Sequence, residues 1–310
     1  MAYKKIKTEG HMAFNGLDWL VAKDEGLFER EGLEIEFISM DGGSKKTDLS
    51  LENRWNDVSS AAGHAHELET GAANMLNACE WGNYRRSQDS NVGGQQVGRR
   101  ACVPCGAIVV PPWSDIYTPQ QLANKTIAVP FHAGTHYLAL QLLEGFVPRD
   151  QIRMVSSGGG PGKVARFRSM MSGETDACSV TEPWNTIAEK MGCRTIIQGF
   201  YNGTDIITQE IDTDTYAALN RALSEAIRRI KADKRKYCQY FIDAEDAPEV
   251  KALSINDFNL SRLQYIEPGT PIPEVEMQRT YDWMVSWNLI DGGHTVEEFL
   301  NTRVAATADD

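Results

Sequence analysis

Gly16-Leu-Asp-Trp-Leu-Val-Ala-Lys-Asp-Glu-Gly-Leu-Phe-Glu-Arg-Glu-Gly-Leu33 is the stretch that decides how this chain folds. Leu17, Leu20, Val21 and Phe28 recur near helical spacing, and Lys23, Asp24, Glu25, Glu29 and Arg30 fall mainly on the other face. That is the pattern of an amphipathic helix, which Gly32 is expected to end. Leu33, Ile35 and Phe37 then alternate with Glu34 and Glu36 as a short strand would, before Asp41-Gly-Gly43 breaks the chain. Helix and strand signals go on alternating through most of the sequence, which predicts an α/β protein with largely parallel sheets.

A second stretch, Met171-Ser-Gly-Glu-Thr-Asp-Ala-Cys-Ser-Val-Thr-Glu-Pro-Trp184, places an Asp after a helix end and before a strand of small residues. Leu51-Glu-Asn-Arg-Trp-Asn-Asp-Val-Ser-Ser60 echoes it weakly, as two similar lobes would. With their surroundings, the stretches from Gly16 and Met171 resemble the first helix and the second-lobe ligand loop of the type 2 periplasmic-binding-protein superfamily, in its NMT1/THI5-like (SsuA/TauA-like) branch. The resemblance covers nearly the whole chain and is strongest at 16–38, 122–145, 164–198 and 276–301. It implies a two-lobed α/β fold with a ligand cleft between the lobes. It also implies a solute-binding role: capture of a small, flat and partly anionic organic molecule in that cleft.

Pro111-Pro112 interrupts the strand-like Ala107-Ile-Val-Val110, so the chain is expected to cross between lobes near 107–113 and to return near 197–207. Lobe one would then comprise 1–108 and 200–310, and lobe two 109–199. Thr118-Pro119 should open a helical turn and Lys125–Val129 form a buried strand. A long helix is expected over Thr215–Ile242 and another over Glu276–Trp287, with Val296–Leu300 closing the C-terminus.

Forty-three acidic against 31 basic residues in 310 give a formal charge of −12. Such a surface repels polyanions, so nucleic acid and anionic membrane are not expected partners. Arg85, Arg86, Arg99 and Arg100 form the one notable basic neighbourhood and read as a solvated loop. No apolar run approaches the roughly 20 residues that a membrane span needs. Met1–Thr8 runs straight into the first strand and leaves no room for an export signal. With Met1 as the native start, the expected location is the cytoplasm, without the transporter coupling of exported relatives. An export-processed chain carrying an added Met would instead be periplasmic or extracellular. Cys79, Cys102, Cys105, Cys178, Cys193 and Cys238 are few and irregularly spaced, as reduced thiols would be.

Ligands of open α/β sheets sit beyond the carboxyl ends of the strands. That rule selects His11, Phe14, Asn15 and Trp19 after the first strand, Ser59, Ser60, His64 and His66 after the next parallel strand, and Cys79, Glu80 and Trp81 after the third. From lobe two it selects His132, Thr135, His136, the Ser156–Gly160 loop with Gly159, Thr181, Glu182 and Trp184. His132-Ala-Gly-Thr-His-Tyr137 resembles the family's helix start that receives an anionic or polar ligand group. Free N–H groups at a helix N-terminus suit that role. Trp19, Trp81 and Trp184 are candidates to stack on a flat ligand, and Glu182-Pro-Trp184 matches the family's Glu-Pro-Trp loop.

His64 and His66 alternate on one side of an extended segment, and Cys102-Val-Pro-Cys105 offers two thiols. No spacing rule joins the two pairs into a zinc set, so neither a metal nor another cofactor is expected. The competing expectation is a cytoplasmic enzyme on the same fold, a lyase, desulfinase, decarboxylase or hydrolase using His11, His64, His66 and Cys79. The resemblance to aryl-sulfinate desulfinases would require a Cys after the first strand, where this chain has His11 and Asn15. Against the pyrimidine synthases, His64 fits, but Ala61 or Ala62 stands where their Lys would be.

Overall fold

The computed structural model describes residues 3–38, 67–89, 95–156, 163–301 and 304. Its strands are β1 (Lys4–Glu9), β2 (Leu33–Ile38), β3 (Met75–Cys79), β4 (Gln96–Arg99), β5 (Cys102–Val103), β6 (Cys105–Val110), β7 (Thr126–Ala128), β8 (Arg153–Val155), β9 (Ala177–Thr181), β10 (Arg194–Phe200), β11 (Gly203–Ile207) and β12 (Gln264–Tyr265). They form two separate layers and a small two-stranded sheet of β5 and β12. In the first, β1 and β2 pair in parallel and lie beside a β3-β11-β4 sheet. Asn74 splices the two: the Lys7 N–H donates to its Oδ1 (2.8 Å), and its own N–H donates to the Lys7 carbonyl (3.0 Å). The second layer is a five-stranded sheet in the order β10-β6-β9-β7-β8.

The sheets are mixed rather than largely parallel. β7 pairs in parallel with β8 and β9, whereas β6 runs antiparallel to both β9 and β10, and β11 antiparallel to β3 and β4. The antiparallel strands are the ones next to the crossings. A chain that passes directly from one sheet to the other enters it without the helical crossover that parallel pairing requires. Because β4 and β11 lie in the first layer and β6 and β10 in the second sheet, the chain passes between them at 100–104 and again at 201–202.

The opening helix is shorter than its apolar periodicity suggests. It spans Ala13–Asp24, and after Gly26, whose φ of +66° suits a residue without a side chain, a separate turn covers Leu27–Arg30. Within it Gly16 departs from helical geometry, and a Cβ there would stand 2.7–2.8 Å from the His11 side chain. Since Gly16 is not helical, Ala would gain no helix propensity to offset that clash. Gly16→Ala is therefore expected to cost about 1–3 kcal/mol of overpacking, read as a lower urea midpoint. An unchanged midpoint would mean that His11 simply moves aside.

Tyr216, Leu219, Ala222, Leu223, Ala226, Ile227 and Ile230 bury one face of the Thr213–Ala232 helix, which packs on the opening helix. The expected single helix to Ile242 breaks at Asp233. That residue leaves helical geometry and accepts the Lys236 N–H (3.1 Å), capping a new turn over Lys234–Tyr237. One apolar core runs from Ile6, Leu17 and Trp19 through Phe241, Val250 and Phe258 to Phe167, Met170 and Trp184. The segment 240–262 therefore ties the second sheet's helices to the first layer. Polar bridges reinforce it: Arg168 with Glu249 (2.9 Å), Lys190 with Asp257 (2.6 Å) and Arg262 with Glu182 (3.2 Å). No helix among the described residues is long and apolar enough to cross a membrane.

Candidate functional site

Where the two layers meet, a cavity of about 320 Å³ opens. The segment after β1 contributes Met12 and Phe14, the segment after β7 contributes Pro130, Ala133, Gly134 and Thr135, and the end of β9 contributes Thr181. Tyr201 lines it from the return crossing. Lys163, Val164 and Arg166 come from the start of the Lys163–Met171 helix, and Glu245 from the 240–262 segment.

The polar groups of this cavity are few and fixed. Arg166 is 5% exposed, and its Nε donates to the Ser179 carbonyl (3.2 Å). Its two terminal nitrogens have no hydrogen-bond partner among the described residues. Lys163 Nζ lies 3.8 Å from the centre of the Phe14 ring, donates to the Glu182 carbonyl (3.2 Å) and stands 3.7 Å from Glu245 Oε1. Burial pushes the Lys163 ammonium down to about 8, against the pull of the Glu245 carboxylate. The other Glu245 oxygen accepts the Trp184 indole N–H at 2.8 Å. Across the cavity the Gly134–Leu143 helix starts without a side-chain cap, and the N–H groups of Gly134 and Thr135 meet no acceptor among the described residues. Two cations, one carboxylate, two open N–H groups and an apolar wall are what this cavity offers to a small molecule.

The residues chosen from the sequence divide into three groups. Phe14, Thr135 and Thr181 line the cavity. Trp81, Glu182 and Trp184 stand behind it: the Trp81 ring lies 5.7 Å from that of Tyr201, Glu182 offers Lys163 its carbonyl, and Trp184 holds Glu245. All three tryptophans are buried, Trp19 and Trp184 completely and Trp81 to 2% exposure, and none is among the residues that line the cavity. The third group does not line it at all. His11 stacks on Trp19 with ring centres 4.5 Å apart, and Asn15 accepts the Met12 N–H (3.2 Å). His132 and His136 are buried with edge-to-face rings, and Cys79 is buried with its thiol pushed up by desolvation, the opposite of what a nucleophile needs. Burial likewise raises Cys102 to about 12 and Cys105 to about 11. Ser59, Ser60, His64, His66 and Gly159 lie outside the described residues. Lys163, Arg166, Tyr201 and Glu245 were missed, although Lys163 and Arg166, three apart behind a glycine-rich loop, share one helix face.

The arginine neighbourhood is not a solvated loop. Arg86, Arg99 and Arg100 are 6%, 6% and 2% exposed. Arg86 pairs with Glu9 (3.4 Å), Arg99 with Glu80 (3.6 Å) and Glu276, and Arg100 donates to Asn77 Oδ1 (3.0 Å) and the Cys102 carbonyl (3.2 Å). Buried guanidinium groups are tolerated only where such ion pairs and hydrogen bonds meet them.

The family model of the NMT1-like family matches residues 15–215. The chain belongs to the NMT1-like family. Solved structures agree on the two-lobed periplasmic-binding-protein fold. The alkanesulfonate-binding protein SsuA from Xanthomonas axonopodis pv. citri bound to MOPS is 13% identical, with 97% of this chain and 99% of that one covered and a TM-score of 0.70. The Candida albicans CA3427 gene product, described as exhibiting the generic periplasmic binding protein fold, is 12% identical with coverage of 100% and 99% and a TM-score of 0.67. The desulfurization enzyme DSZB is 13% identical, with 96% of each chain covered and a TM-score of 0.61. No curated protein sequence matches the chain.

The buried histidines give this NMT1-like protein an acid sensitivity. Burial, aided by the Arg85 guanidinium, lowers His132 to about 4, and neither ring nitrogen has a hydrogen-bond partner among the described residues. With the folded value depressed, stability is complete above the ordinary 6.5 and is lost as the pH falls towards 4. About 1–2 kcal/mol should disappear between pH 7 and pH 5 from this one group. His132 sits at a φ of +60°, which Asn tolerates. His132→Asn should therefore remove that share of the acid loss in the urea midpoint, with the buried His11 and His136 accounting for what remains, and an undiminished acid loss would place its origin elsewhere.

Proposed function

We propose that this protein binds a small organic anion with a flat apolar body between its lobes, as solute-binding proteins do. One observation carries the reading: Arg166, buried in the cavity wall, spends one nitrogen on the protein and leaves two open. A buried guanidinium with a vacant fork is costly unless an anion completes it. The Gly134 and Thr135 N–H groups would receive the remaining anion oxygens, and Phe14, Met12 and Val164 would cover the body. The likeness to the Xanthomonas SsuA, an alkanesulfonate-binding protein bound to MOPS, supports an anion of this kind.

The test is native mass spectrometry and calorimetry with aryl carboxylates, sulfinates, sulfonates and nitrogen heterocycles, scoring retention and new product masses together. Retention of one unchanged anion per chain is the expected result. Product in excess of protein would replace the binding role with catalysis, and retention of neutral heterocycles alone would remove the anion from the proposal.

A further inference from the structure

We propose that Glu245 sets the charge of the cavity and thereby selects singly charged over doubly charged anions. The inference rests on the anion-binding reading above and adds its selectivity residue. Among the described residues, three charged side chains line the cavity: Lys163, Arg166 and Glu245. Glu182, whose charge also acts on Lys163 from a distance, has its carboxylate held by Arg262 (3.2 Å) and the Thr186 hydroxyl (2.9 Å). Together the three lining groups carry one net positive charge when ionised.

The position of Glu245 is built rather than incidental. Its Oε2 is held by a neutral donor, the Trp184 indole (2.8 Å), and Oε1 is left to face Lys163 at 3.7 Å. The side chains of Lys163 and Glu245 are only 12% and 14% exposed, so solvent screens their interaction weakly. The Glu245 charge also acts on Arg166 and helps to hold that guanidinium charged. A monoanion at Arg166 brings the site to neutrality. A dianion leaves one uncompensated charge in a desolvated place, which is strongly unfavourable.

Benzenesulfonate and phenyl phosphate are probes of similar shape that carry one and nearly two charges at pH 7.5. Titration calorimetry of the full chain should give a preference of tenfold or more for benzenesulfonate. Glu245→Gln keeps an oxygen for Trp184 and takes the cavity to two positive charges. It should move the ratio at least tenfold towards phenyl phosphate. Lys163→Met, with no net charge, should weaken both probes and phenyl phosphate more. The double variant returns to one charge and should restore the wild-type ratio, with thermal midpoints measured on every variant to confirm folding.

A Glu245→Gln effect equal on both probes, or a double variant whose ratio does not return, would overturn the charge-setting role while leaving the binding site intact. Failure of both probes to bind the wild type and Glu245→Gln at millimolar concentration would remove the anion site itself, and this inference with it.

Discussion

Arg166→Met is expected to weaken benzenesulfonate binding about 10- to 100-fold, the 1.5–3 kcal/mol that a hydrogen bond to a charged group contributes. Met fills much of the volume left by the arginine stem, so the loss should be in affinity rather than in folding. The Ser179 carbonyl does lose its donor, and a small drop in the thermal midpoint should accompany the change. Arg166→Lys separates charge from geometry. It restores the cation without the planar fork, so it should recover only part of the lost affinity. Thr135→Val tests the opposite wall, where the open helix start would lose a hydroxyl but keep its N–H groups, and should cost far less. Unchanged affinity in Arg166→Met would show that the open nitrogens of Arg166 do not meet the ligand, and the proposed orientation would fall.

Local periodicity made the scaffold legible, and distance in sequence hid much of the site. The opening helix, the strand after Gly32, the buried strand near 126 and the C-terminal helix all follow from spacing that a reader can see within a dozen residues. The arginines do not. Arg99 finds Glu276 across 177 residues and Arg86 finds Glu9 across 77, so nothing near them in the chain announces that they are buried and paired. The tryptophans are buried for another reason: a helix beginning at a strand end turns most of its positions inward, and large rings fill the core first. Phe14 faces the cavity while Trp19, five residues on, is fully buried. Lys163 and Arg166 were within reach, since two cations three apart straight after a glycine-rich loop mark one face of a helix start.

The histidines and Cys79 bear on the enzyme alternative. Chemistry at the cavity requires groups that touch what the cavity holds; of the candidates, His11 and Cys79 do not line it, and His64 and His66 lie outside the described residues. Of its lining residues, Lys163 is the one brought near the physiological range, down to about 8. An aromatic face, a carbonyl and a carboxylate favour its ammonium form, while burial and the Arg166 charge oppose them and prevail.

The largest stability effect is expected at the seam between the 240–262 segment and the second sheet. Arg262 and Glu182 have side chains 4% and 5% exposed, and Arg262 also reaches Glu189. Removing one partner of a buried pair leaves the other charge uncompensated, so Arg262→Met should cost about 3–5 kcal/mol in urea unfolding. The sign of its pH dependence identifies the cause. Burial already pushes the Glu182 carboxyl up, with Arg262 and the Thr186 hydrogen bonds opposing it. Without Arg262 the folded value rises further above the unfolded one, so stability is retained at low pH and lost as the pH rises through that value. Arg262→Met should thus be more destabilised at pH 8 than at pH 5. Adding Glu182→Gln removes the orphaned charge and should recover much of the loss and its pH dependence. A deficit that is the same at both pH values and survives in the double variant would mean that Arg262 acts through packing of its stem, and that the seam is held by its apolar core alone.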